Sequence, residues 1–123
     1  MADTTNRLAG VAYVTVDGAN YRLVGDLSYD VSSVKRETLT GQDGVHGYSG
    51  MPKAGSIAGT FRDAGGLKIA DFNTMTNVTV VAELANGKTI IGRNMWQVGE
   101  ALEVKTQEAT VDVRWESADV SEQ

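Results

Sequence analysis

Apolar and polar residues alternate with a period of two along most of this chain. Between Tyr21 and Val31 the odd positions hold Tyr21, Leu23, Gly25, Leu27, Tyr29 and Val31, and the even positions hold Arg22, Val24, Asp26, Ser28 and Asp30. Successive side chains of a strand point to opposite faces, so this pattern predicts one strand with one buried face. A strand of that length would extend roughly 36 Å, about twice the usual span. One small domain has little core to cover it. The nearest source of cover is another copy of the chain, because unpaired strand edges pair readily.

Val11–Val16 predicts a strand before it, and Asp17-Gly18-Ala19-Asn20 a tight turn that joins the two as a hairpin. Ala109, Val111, Val113 and Trp115 alternate with Thr110, Asp112, Arg114 and Glu116, which predicts a half-exposed strand. Val78, Val80, Ala82 and Leu84 predict another. Asn86-Gly87 favours a type I′ turn, and Thr89–Gln97 returns from it. Gly99-Glu100 ends that run, Leu102, Val104 and Thr106 suggest a further strand, and Ile57, Gly59 and Phe61 mark a short one.

Helical period appears once. Ile69, Phe72 and Met75 are spaced by three, which predicts a helix over 67–76, isolated by Gly65-Gly66 and ended by Asn77. So short a helix needs a sheet to dock on. The segment 33–55 reads as a long loop. It has few large apolar groups, it contains Gly41, Gly44, Gly47, Gly50 and Gly55, and it holds the single proline, Pro52. Loops of this length are uncommon in a compact domain and are usually functional or disordered.

The length of 123 residues suits one domain over 1–123, mainly β. The absence of cysteine excludes a disulfide framework, a thiolate metal site and a cysteine nucleophile. The net charge of −5 is unevenly placed. Residues 1–99 are balanced, whereas 100–123 carry Lys105 and Arg114 against Glu100, Glu103, Glu108, Asp112, Glu116, Asp119 and Glu122. Such acidity opposes sequence-specific nucleic-acid binding; it suits a surface that nucleic acid passes without sticking, or equally a chain kept soluble by its charge. Residues 1–7 lack a signal-peptide layout and no apolar run could span a bilayer, so the expectation is synthesis in the cytoplasm without membrane insertion.

Candidate chemistry is sparse. His46 is the single histidine, with Asp43 near it and nothing else to complete a ligand set. The glycine series lacks the strand-GxxxxGK[ST]-helix layout of a phosphate loop, and Gln42-Asp43-Gly44 lacks the later ligands of a calcium loop. Asp26 with Asp30, and Asp112 with Glu116, are carboxylate pairs on alternating polar faces, where solvent exposure accounts for them without acid–base chemistry. Trp96 and Trp115 read as core or interface anchors, with a sugar platform as the small-ligand alternative. No catalytic, cofactor-binding or metal-binding residue is assigned, and the expectation is a chain without enzymatic activity.

Arg36-Glu37-Thr38-Leu39-Thr40-Gly41-Gln42-Asp43-Gly44-Val45-His46-Gly47-Tyr48, then Met51-Pro52-Lys53 and Gly55–Thr60, resemble the tail tube proteins of Mu-like contractile phages. Ala9–Tyr13 and the Asp17-Gly18 turn fit the same pattern. The resemblance implies an antiparallel β-sandwich or half-barrel with one short flanking helix, completing a β-barrel across subunits. It implies hexameric rings stacked into a hollow tube of the virion tail, contacts with the sheath, baseplate and tape-measure proteins, and a bore through which DNA passes. On that reading Thr40, Gln42, Asp43, Val45, His46, Tyr48, Met51 and Pro52 are candidates for contacts between subunits. Asp26, Asp30, Asp112 and Glu116 are candidates for the bore, although Arg22 and Arg114 share their faces. The alternatives are the tube of a bacteriocin or secretion device, a tail terminator or completion protein, and a carbohydrate-binding β module.

Overall fold

The computed structural model describes residues 11–24, 27–63, 68–99 and 102–123. In chain order the elements are β1 (Tyr13–Val16), β2 (Ala19–Tyr21), β3 (Ser28–Asp30), β4 (Ser33–Gly41), β5 (Gly44–Lys53), β6 (Gly55–Arg62), α1 (Ile69–Asn73), β7 (Val78–Glu83), β8 (Thr89–Val98), β9 (Thr110–Ser117) and β10 (Asp119–Glu122). All described strand pairings are antiparallel. The order is β2-β1-β7-β8-β9-β6-β3, with β10 also beside β8 and the β4–β5 pair separate.

The path folds into two layers because β8 bends. Its first half lies between β7 and β10, and its second half pairs with β9. The bend is a β-bulge. Val78 pairs with Met95 but Val80 with Gly92, so β8 holds one extra residue there, and Asn94 takes a φ of 54°. Gly92 makes room for the fold-back, since a Cβ on it would overlap the Met95 sulfur. The neighbouring strand bends at the same level. Ser117 Oγ donates to the Arg93 carbonyl and accepts from the Asp119 N–H at 3.0 Å, which joins β9 to β10 across Ala118.

Apolar rows fill the space between the layers. Val16, Val80, Gly92 and Val120 form one cross-strand row, and Val14, Ala82 and Ile90 the next. Ile57, Phe61, Val111, Val113 and Trp115 face them from β6 and β9. Tyr21, Phe61, Phe72 and Trp115 make edge-on and tilted ring contacts with centroids 5.5–6.3 Å apart. The helix closes one end by burying Phe72, and the Trp115 indole N–H points to the Met75 sulfur at 3.4 Å. Helix α1 covers five residues, shorter than the stripe of Ile69, Phe72 and Met75 predicts, because the chain turns at Thr74 as soon as Phe72 is seated.

The Asp17-Gly18 turn follows the sequence signal, with φ of 49° and 84° as a type I′ turn requires. Asn86-Gly87 differs. A five-residue loop connects β7 to β8, Gly87 N–H donates to the Leu84 carbonyl at 3.1 Å, and Gly87 alone in that loop has positive φ.

The single strand expected over 21–31 is divided. Ala19–Tyr21 pairs with β1, then Arg22–Val24 crosses to β6 through a Leu23–Phe61 bridge, and Ser28–Asp30 pairs further along β6. Changing partner lets Tyr21, Leu23, Leu27 and Tyr29 all pack on the core of a strongly curved pair of sheets. The crossing is a bridge and two backbone hydrogen bonds rather than a ladder, so the single chain is not a closed barrel. The strand suggested over Leu102–Thr106 is irregular chain with an isolated bridge from Lys105 to Thr110. The loop expected over 33–55 is the largest difference: it is two long paired strands.

Two substitutions test this packing. Trp115→Ala removes the largest fully buried side chain, and a loss of about 3–5 kcal/mol is expected in denaturant unfolding. At Gly55 a Cβ would lie 2.5 Å from Val120 Cβ and 2.8 Å from the Asp30 carbonyl oxygen. Gly55→Ala is therefore expected to lower stability by about 1–3 kcal/mol, read as a lower thermal midpoint.

Candidate assembly surface

The chain leaves β3 through Ser32, which is tied to the sandwich. Ser32 N–H donates to the Val120 carbonyl at 3.1 Å, and Ser32 Oγ accepts from Val120 N–H at 2.9 Å. Lys53 returns to the same place and pairs with Asp30 at 2.7 Å. Between these anchors β4 and β5 form a ribbon paired from Ser33–Lys53 to Gly41–Gly44, roughly 30 Å long at ~3.3 Å per residue. Every residue of the ribbon is exposed.

Neither face of the ribbon is buried, which explains why no period of two marks it in the sequence. Val34, Arg36 and Thr38 share one face with Pro52, Gly50 and Tyr48. The Arg36 guanidinium sits 5.6 Å from the Tyr48 ring centre, which stiffens that face. Lys35, Glu37 and Leu39 share the other face with Met51, Ser49 and Gly47. Val34, Leu39, Val45, Tyr48 and Met51 are 48–73% exposed. Gln42-Asp43 is the turn and Gly44 opens β5 with a φ of 137°, so Gln42-Asp43-Gly44 is a hairpin turn rather than a fragment of a calcium loop.

The tip is ordered by its own side chains. A register shift next to Leu39 and Thr40 leaves His46 as an extra residue. The imidazole lies over Gly41, where any Cβ would overlap the ring. His46 Nε2 and Asp43 Oδ1 are 2.5 Å apart, and this hydrogen bond lowers the Asp43 pKa from the ordinary carboxylate value. Thr40, Gln42, Asp43, Val45, His46, Tyr48, Met51 and Pro52 thus all lie on this one ribbon. Among the described residues no three or more His, Asp or Glu side chains come together to hold a metal ion.

The bore candidates lie elsewhere. Glu116 is flanked by Trp96 and Ser56, and Ser56 by Asp30, so Asp30 and Glu116 share the outer face of the β3-β6-β9-β8 layer. Asp112 is on the same face beside Thr60. Each carboxylate has a neighbour: Lys53 on Asp30, the Thr60 hydroxyl on Asp112, and Arg114 on Glu116 at 3.4 Å. Asp26 lies outside the described residues. Trp96 is 40% exposed on this face, whereas Trp115 is wholly buried and offers no platform to a sugar.

A family model described as phage tail tube protein matches residues 5–122. The chain is 28% identical over 95 residues to the tail tube protein of Escherichia phage Mu, which covers 77% of this chain and 80% of that one. Among solved structures it is similar to one of the sheath/tube terminator of the PVC extracellular contractile injection system, with a TM-score of 0.63, 14% identity, and coverage of 91% of this chain and 92% of that one. It is equally similar to one of the sheath-tube complex of the same system, with a TM-score of 0.63, 13% identity, and coverage of 98% and 94%. The cap of the anti-feeding prophage also matches at a TM-score of 0.63 and 13% identity over 91% and 87% of the two chains. These structural likenesses establish a shared fold, and the family match spans nearly the whole sequence: the chain belongs to the phage tail tube protein family.

Proposed function

We propose that this chain is the repeating subunit of the inner tube of a contractile phage tail. In this reading copies form hexameric rings, the rings stack into a hollow tube inside a sheath, and DNA passes down the bore during delivery. The observation that carries the reading is the β4–β5 ribbon, which exposes five large apolar side chains and packs neither face on its own chain. An isolated two-stranded ribbon is marginal in water. Its outer edges and apolar side chains gain partners when another copy covers them, and the sandwich that holds it is already complete. Family membership and the Mu tail tube relative support the same role.

The bore is assigned to the outer face of the β3-β6-β9-β8 layer, with Asp30, Asp112 and Glu116. Carboxylates on a wall repel phosphate and keep it sliding. A tube terminator is the second reading, favoured by the equal likeness to a terminator and to a tube complex. A terminator closes as a single ring, whereas a tube subunit continues into filaments. A bacteriocin or injection-device tube would use the same contacts.

Concentrated protein is expected to form filaments of stacked rings in negative-stain microscopy. Replacing Arg36–Met51 by a two-residue turn should leave the sandwich folded by circular dichroism and abolish filaments at every concentration. Filaments from that variant would remove the ribbon from assembly. Asp112→Lys with Glu116→Lys should leave filaments intact and raise their retention of double-stranded DNA at low salt by roughly tenfold or more in filter binding.

A further inference from the structure

Among the described residues nine large apolar side chains stand clear of the core: Val11, Tyr13, Val24, Val34, Leu39, Val45, Tyr48, Met51 and Trp96. Five lie on the ribbon. Val11 and Tyr13 lie together at one other place, where β1 and the chain after β2 part company. Val14 and Tyr21 are the last pair of that hairpin, after which residues 22–24 cross to β6 while Tyr13 stays beside Glu83 of β7. The divergence opens a groove of about 580 Å³ lined by Val11, Tyr13, Leu23, Arg22 and Glu83 among others.

The groove and the ribbon tip match in chemistry. Apolar Val11, Tyr13 and Leu23 stand against apolar Leu39 and Val45. Arg22 and Glu83 are exposed and have no ion-pair partner among the described residues. The tip carries a carboxylate to face Arg22, that of Asp43, held in place by its hydrogen bond with His46 and by that ring's seat on Gly41. A ribbon roughly 30 Å long carries this tip clear of its own sandwich. We infer that the groove between β1 and residues 22–24 is the receiving site for the β4–β5 tip of a second copy, with Leu39 and Val45 in the groove and Asp43 beside Arg22.

The inference rests on the tube-subunit reading and names the surface that the ribbon uses. Tip and groove are different surfaces, so each copy gives one contact and receives another. Such a heterologous contact builds rings or filaments and does not stop at a dimer. It also leaves the acidic outer face of β9 free for the bore.

The chain has no cysteine, which permits a clean test. Val45→Cys protein is mixed with Val11→Cys protein under assembly conditions and treated with a short bifunctional maleimide. A second mixture replaces Val11→Cys by Trp96→Cys, an exposed site on the other layer. The expected result is a dimer band from the first mixture that forms roughly a hundredfold faster than from the second, because docking raises the local concentration of the pair. If filaments form but the first mixture gives no faster crosslinking than the second, the groove assignment is overturned and the subunit reading stands. If the unsubstituted protein forms neither rings nor filaments, the subunit reading falls and the groove assignment falls with it.

Discussion

Strand β8 belongs to both layers of the sandwich, and the remaining architecture hangs on the bulge that allows this. Backbone N–H and C=O groups must be paired when buried, so a sheet that turns a corner needs a strand able to change neighbours without losing hydrogen bonds. The extra residue at Arg93-Asn94 provides the bend, Gly92 admits Met95 beneath it, and Ser117 bonds the bent partner strand at the same level. Everything downstream follows from that corner. It places Trp115 under the ring cluster, sets Val120 where Ser32 and Gly55 meet it, and so fixes the base from which the ribbon leaves.

Two regions with different energetic character result. The sandwich is self-sufficient, with cross-strand rows of valine, isoleucine and aromatic side chains excluded from water. The ribbon is the reverse. Its hydrogen-bonded ladder is internal, but its edges, its faces and its apolar side chains look outward. Surface ion pairs such as Lys53–Asp30 and Lys88–Glu122 contribute little in so exposed a setting. The arrangement fits the proposed role of assembling subunit, in which the buried core holds the fold and the exposed ribbon is left for a neighbour.

Much of the sandwich was legible in the sequence because burial there is one-sided. The alternation Val111-Asp112-Val113-Arg114-Trp115-Glu116 reports directly that one face of β9 is dry and the other wet, and the structure shows that division. The Asp17-Gly18 turn was legible because only a few residue types tolerate its φ values. Tyr21–Val31 was read as one element because its pattern continues unbroken while its pairing partner changes from β1 to β6. A periodicity reports which face is buried and carries no information about which strand lies alongside.

The ribbon marks the opposite limit. With neither face buried by its own chain, Val34, Leu39, Val45, Tyr48 and Met51 fall at no regular period, and five glycines between 41 and 55 imitate a loop. The sequence by itself determined that the chain is mainly β, where most of its buried faces lie, that it has one short helix, and which family motif it carries. Tertiary structure decided that residues 33–53 form a projecting ribbon, that β8 serves two layers, and that Asp30, Asp112 and Glu116 share one outer face. The reason is that side-chain patterns record local exposure, whereas partner choice and the sharing of a face are set by hydrogen bonds between residues far apart in the chain.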